Sequence, residues 1–255
     1  MMFSASIVLL SCIGFFICIQ LFRRSIYLAL AVFLVLPIVL LPLYFSQNDI
    51  GWFVWAKSYS VACVICLFAL CRTRFGDTQW IYKLIWLMVM LNIAEAVILD
   101  ALAAEHLNII NAVTGLMLMM TLPSAEKMSL THSVHKDFSW DIPYNWIITY
   151  TLWNLVFFYG NWPGFGLRVQ LAVLAVPLLI GLFDRKLWAQ ARAYTLGVFV
   201  LITLCLDAFA ITPEAPSWYN KDIYIAFACI GLCFGVYLVW NSLVYNDPRN
   251  LDHTS

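Results

Sequence analysis

WIYKLIWLMVMLNIAEAVILDAL, residues 80–102, is a run of 23 residues with three charged side chains, Lys83, Glu95 and Asp100. A hydrocarbon core about 30 Å thick takes about 20 helical residues to cross, so the run is long enough for one span. Glu95 stands seven residues before its end, and Asn92 lies three residues earlier. A carboxylic acid inside a span costs about 2.5–3.5 kcal/mol on insertion scales. Reading the run as a membrane helix therefore makes Glu95 a residue that needs a partner.

The rest of the chain is built the same way. Of its 255 residues, 64% are hydrophobic and 11% charged, under half the usual charged share. A soluble domain of this length has too little interior to hide that much apolar surface. Nine apolar segments follow one another at roughly 3–22, 26–45, 52–71, 80–102, 107–123, 145–161, 167–183, 189–211 and 222–244. The expected fold is all-α: a polytopic transmembrane helical bundle of about nine helices. Residues 1–255 form one integral membrane domain with no separate soluble domain. The fifth and sixth segments are short for a full span. The longest polar stretch, 124–144, reads as a solvated loop.

Charge sets the orientation. With the N-terminus outside, the inner side receives eleven basic residues, Arg23, Arg24, Arg72, Arg74, Lys83, Lys127, Lys136, Arg185, Lys186, Arg192 and Arg249. The outer side receives three, Lys57, Arg168 and Lys221. This asymmetry predicts N-terminus out and C-terminus in. The first segment lacks a positive n-region and carries Arg23 and Arg24 after its apolar run, so it reads as a retained helix. Pro37, Pro42 and Pro177 mark kinks. Trp52, Trp55, Trp80, Trp162, Trp188 and Trp218 fall near segment ends, as an aromatic belt requires. Formal net charge is zero, which gives no footprint for nucleic acid.

Polar residues inside the spans are the functional candidates. At 1.5 Å per residue, Lys57, Glu95, Asn111, Asn154 and Asp207 come out at similar depth in the outer half of the membrane. Asn92 shares a helical face with Glu95, Ser60 with Lys57, Asn108 with Asn111, and Tyr150 with Asn154. The candidate site is thus Lys57, Asn92, Glu95, Asn111, Asn154 and Asp207, with Lys57 and Glu95 as the expected ion pair. Its leading reading is a small-solute, ion or proton transporter or channel, in which Glu95 takes and releases a proton or cation. The alternatives are a membrane-embedded enzyme on a lipid or isoprenoid-linked substrate, with Glu95 as general acid or base, and a structural membrane subunit whose polar residues fix helix packing.

Other features carry less. The eight cysteines lie in or at the ends of apolar runs and pack as small apolar residues. His132 and His135, with Asp137 and Asp141 after them, sit in the 124–144 loop without four evident ligands, so no metal site is expected. Arg185, Lys186 and Arg192 read as orientation signals and headgroup contacts. The sequence has no GxSxG, HExxH or P-loop signature and calls for no cofactor. The expected partners are the lipid bilayer and a small solute or ion.

WFVWAKSYSVACVICLFAL (52–70), LNIAEAVILDAL (91–102), NIINAVTGLMLMM (108–120), NWIITYTLWNLVFFY (145–159) and RAYTLGVFVL (192–201) occur in this order. Together they resemble an uncharacterised group of bacterial multi-pass membrane proteins known only as domain of unknown function five-six-nine-two. The resemblance covers nearly the whole chain. It implies a bacterial inner membrane and a single domain, and no activity. Its strings include Lys57, Asn92, Glu95, Asn111 and Asn154. Members often carry an Arg just before the Asp of the fourth segment, where this chain has Leu99 before Asp100.

Overall fold

The computed structural model describes residues 2–41, 52–74, 76–103, 105–162, 165–206 and 219–245. Among them stand nine helices: α1 (Met2–Arg24), α2 (Ile26–Val39), α3 (Trp52–Cys71), α4 (Gln79–Ala103), α5 (His106–Met120), α6 (Tyr144–Asn161), α7 (Phe165–Phe183), α8 (Trp188–Leu206) and α9 (Lys221–Tyr245). The fold is an all-α bundle. Five of the described helices are long and apolar enough to cross a membrane, at Ala5–Arg24, Trp52–Cys71, Gln79–Ala103, Arg185–Leu204 and Lys221–Val244. The 15 residues of α5 reach about 22 Å and the 18 of α6 about 27 Å, both short of a full core. Pro42 and Trp218 lie outside the described residues.

Local chemistry sets the helix ends. Ser25 Oγ accepts from the Leu28 amide at 3.1 Å and starts α2, and Asp184 Oδ1 accepts from the Lys186 amide at the turn before α8, both as N-cap side chains do. Pro37 has no amide to donate, and its ring crowds the preceding turn. In α2 the backbone widens into a π-type turn over Ala31–Val35, where the Leu36 amide reaches back to the Ala31 carbonyl. The wider turn absorbs the proline without breaking the helix.

Helices α3 to α8 close a ring in chain order. Each packs on the next, and α8 returns to α3. Outside the ring, α1 leans on α7 and α8, α2 on α3, and α9 on α5 and α6. The most enclosed span is α8, with 78% of its residues buried against 17% for α1. Apolar residues gain little from leaving lipid for a helix contact, so close packing has to supply the association. Gly115 shows how close it is: a Cβ there would fall 2.5 Å from Val97 Cγ2 and 2.9 Å from Trp153 Nε1. The missing side chain lets α4, α5 and α6 meet.

The 124–144 stretch is not simply a solvated loop. β1 (Met128–Leu130) pairs antiparallel with β2 (Phe138–Trp140), Met128 opposite Trp140, and all three residues of β2 are buried. Phe138 stacks on Phe68 with ring centres 4.2 Å apart, and its amide donates to Gln190 Oε1 of α8. The correction has a simple cause. Phe138, Trp140 and Ile142 are apolar residues in a polar stretch, and the open end of the helix ring offers them cover. The turn, with His132 and Val134, stays exposed, as do Glu126, Lys127 and Ser129.

Two arginines hold this hairpin. Arg23, at the end of α1, donates from Nε and Nη2 to the two carboxylate oxygens of Asp137 at 2.8 and 2.7 Å. Gln190 Nε2 and Ser133 Oγ donate to the same carboxylate. Arg72 donates to the carbonyls of Phe22 and Arg23, and at 3.0 Å to that of His135. It thereby covers carbonyls in the last turn of α1, which have no partner within the helix, and ties them to the hairpin. Burial alone would raise the Asp137 pKa. The Arg23 fork, its charge and the Gln190 and Ser133 donors outweigh it, and the carboxyl sits below the usual range.

Two outcomes follow. Gly115→Ala should overpack the α4–α5–α6 contact and lower stability by about 1–3 kcal/mol, read as an earlier thermal transition in detergent. A depressed carboxyl contributes stability above its unfolded value, about 3.9, and loses it as pH falls through the lower folded value. Amide exchange in 128–140 should thus stay slow from neutral pH down to about pH 4 and quicken below. Asp137→Asn should exchange about tenfold faster even at pH 7, the effect of about 1.4 kcal/mol. A wild-type hairpin that opens between pH 6 and 7 would overturn this account.

Candidate functional site

Lys57 projects from α3 and is buried. Its Nζ lies 3.0 Å from Glu95 Oε2 of α4 and donates to the Asn92 carbonyl at 2.6 Å. Ser60, one turn along α3, donates to the same Glu95 oxygen at 3.0 Å, and Asn92 Nδ2 donates to Ser60 Oγ at 3.1 Å. The i, i+3 spacing of Lys57 with Ser60 and of Asn92 with Glu95 puts each pair on one helical face, so two helices close a four-residue polar clasp. Lys57 also lies over the Phe53 ring, 5.3 Å from its centre.

Asn154 of α6 faces a different cation. Arg192 of α8 donates from Nη2 to Asn154 Oδ1 at 3.0 Å and stands over the Tyr150 ring at 5.7 Å. Arg192 is 4% exposed, and its Nε and Nη1 have no hydrogen-bond partner. From sequence it counts as an inner-surface charge. Inside the bundle it is a buried cation whose close polar neighbours, Asn154 Oδ1 and Tyr150, are neutral. The signal was its position: Arg185 and Lys186 already mark the surface before α8, whereas Arg192 shares a face with Trp188 one turn into the helix.

Two cavities meet at this layer. One is lined by Phe53, Lys57, Asn92, Asn154, Phe157 and Phe199 among others. The other runs toward the hairpin and is lined by Val64, Phe68, Trp140, Trp146, Trp188 and Arg192 among others. Asn92, Tyr150 and Leu196 line both. Each is narrow, with room for about three or four waters. Aromatic rings cluster at both ends. Phe53 lies 5.5 Å from Phe157 and 5.6 Å from Trp162 at the end away from the hairpin. Trp188 lies 5.8 Å from Trp146 and 5.1 Å from Tyr150 at the hairpin end. Trp188, expected in the surface belt, is thus 4% exposed and part of the interior.

The remaining candidates separate from this layer. Asn111 does not join Glu95. Its Nδ2 donates at 2.7 Å to Asp100, which is fully buried and also accepts at 2.9 Å from both Asn108 and Asn161. Tyr224 of α9 donates to Asn108 Oδ1 at 3.3 Å. Helical phase explains the split. Asp100 follows Glu95 by five residues, about 140° around α4, so Glu95 turns to α3 and Asp100 to α5. Asp100 meets Asn108 across the short α4–α5 connection, and the asparagine expected beside Glu95 follows it. Asp207 lies outside the described residues. Glu95 lines neither of the two cavities.

Removing one member of a buried ion pair strands the other, at about 3–5 kcal/mol. Glu95→Gln and Lys57→Met should each destabilise by roughly that much, and the double variant should cost less than the two singles together. The readout is a double-mutant cycle on thermal unfolding in detergent. Additive losses would mean that the 3.0 Å contact contributes nothing.

No curated protein and no solved structure matches the chain. The features on which the site is built, from the α3–α4 clasp to the α6–α8 contact, all fall inside one stretch recognised as a family, described as a family of unknown function (DUF5692). That match spans residues 1–247, and the chain belongs to this family.

Proposed function

We propose that the protein passes a small solute or ion across a bacterial inner membrane, with Lys57, Asn92, Asn154 and Arg192 as the layer where the solute pauses. The observation that carries this reading is the pair of cavities, which approach that layer from opposite ends and share Asn92, Tyr150 and Leu196. Passage between two sides needs a site that each side reaches in turn, with a closure beyond it. Phe53, Phe157 and Trp162 would form the outer closure, and Trp146, Trp188 and the hairpin the inner one. In this orientation the N-terminus faces out, and the hairpin with Arg23, Arg72, Arg185 and Lys186 faces in, as the distribution of basic residues favours. Residues 1–255 act as one membrane domain.

The enzyme reading relied on Glu95 as an acid or base. Glu95 is engaged by Lys57 and Ser60 and lines neither cavity, so the geometry favours passage. The role of Glu95 in this reading is to neutralise Lys57. Liposomes carrying the full chain and a pH-sensitive or ion-sensitive dye test the proposal. Wild-type protein should carry a flux of protons or of a small ion above that of empty liposomes. Phe53→Ala with Phe157→Ala should widen the outer closure and raise that flux about tenfold, equivalent to removing about 1.4 kcal/mol of barrier. No flux in either the wild type or the widened variant would sink the proposal.

A further inference from the structure

We infer that the cavity between the polar layer and the hairpin binds a short-chain monocarboxylate, its carboxylate against Arg192 and its alkyl end against Val61, Val64 and Phe68. The inference deepens the reading of the two cavities as one solute path and rests on it.

Three observations point the same way. The first is the balance of charge at the layer. Lys57 and Arg192 bring two positive charges and Glu95 one negative, and the negative charge lies on Lys57 at 3.0 Å. Arg192 has no carboxylate within 4.0 Å among the described residues. One positive charge is left over, and a guanidinium does not deprotonate in proteins. A buried cation without a counter-ion is costly, so the site calls for a single negative charge.

The second is the type of polar atom left unsatisfied. Among the residues lining this cavity, the buried side-chain atoms without a partner are Arg192 Nε and Nη1, Trp140 Nε1 and Trp188 Nε1. All four are donors. A ligand that draws these buried donors toward the cavity must accept hydrogen bonds. Asn154 takes one of the two Nη2 hydrogens, so the other, with Nε or Nη1 beside it, leaves a two-pronged edge that fits the two oxygens of a planar carboxylate better than a spherical ion.

The third is size and lining. Space for about three or four waters suits a ligand on the order of five heavy atoms. Arg192 is the only charged residue in a lining that includes Val61, Val64, Phe68 and Val89, so the wall offers no second cation to the further charges of a phosphate or a dicarboxylate. A carboxylate with a tail of two or three carbons satisfies charge, donors and volume together.

Trp140, Trp146 and Trp188 all line the cavity, so indole fluorescence reports its occupancy. The full chain in lipid nanodiscs would be titrated with acetate, propionate and butyrate at constant ionic strength, and with chloride and phosphate in parallel. The expected result is a saturable change with the monocarboxylates, about fourfold tighter from acetate to propionate for the added methylene, and none with chloride or phosphate. Arg192→Lys should weaken binding about tenfold, and Arg192→Gln should abolish it in protein that keeps its helical circular dichroism. If that variant does not fold, Val64→Trp serves, since it fills the alkyl side and should exclude butyrate while sparing acetate. Saturation by no monocarboxylate, equal saturation by chloride or phosphate, wild-type affinity in Arg192→Gln, or unchanged chain-length preference in Val64→Trp would each overturn the inference. Binding without liposome flux would leave this site standing and remove the transport reading. Flux without carboxylate binding would do the reverse.

Discussion

Arg192 keeps its positive charge wherever the protein exists, and the helices around it are arranged to hold that charge inside an apolar bundle. Asn154 gives it an acceptor and Tyr150 a ring face. Glu95, the acid nearest in kind, is committed to Lys57 on the other side of the layer. The bundle has also placed its largest rings, rather than small packing residues, on either side of this charge. A span with a buried guanidinium has to sit among helices that shield it from lipid. This fits α8 being the most enclosed span, reached by α1, α3 and α7.

Polar chemistry elsewhere in the molecule forms layers of different character. The Asp100 layer is saturated: one carboxylate accepts three amides, and Tyr224 adds a fourth helix through Asn108. Such a group holds α4, α5, α6 and α9 in register. The Asp137 layer is a fork between a helix end and a hairpin. The middle layer pairs a satisfied clasp with a cation two of whose nitrogens are unfilled.

Much of the architecture could be read from the sequence because the apolar runs are long and end in turn-forming or charged residues. The nine expected segments correspond to the nine described helices, with ends differing by a few residues, and the expected ends of the second and eighth segments lie outside the described residues. Depth along a helix was also legible, as the closeness of Lys57 and Glu95 illustrates. Direction around a helix was not. Asn111 belongs with Asp100 because of a rotation that depth does not reveal, and the six-helix ring depends on neighbours that no single segment specifies. Phe138 and Trp140 were hidden by their polar flanks, and Trp188 by a position at a helix end that suits the surface belt equally well. Arg192 was hidden by the rule that made the topology readable. Counting basic residues by side treats each as a surface charge, and this one is not at the surface.

The contact between Arg23 and Asp137 spans 114 residues of chain, and Arg72 reaches back 49 residues to the carbonyl of Arg23. During synthesis the Arg23 side chain therefore waits for its carboxylate while four more helices emerge and the hairpin is made. At about 5–20 residues per second, the delay is on the order of 6–20 seconds. Gln190, which joins the same carboxylate, arrives later still. Nascent chains thus hold the end of α1 first by its apolar surface, then by Arg72, and the first helix made gains its charged anchor only when the hairpin arrives.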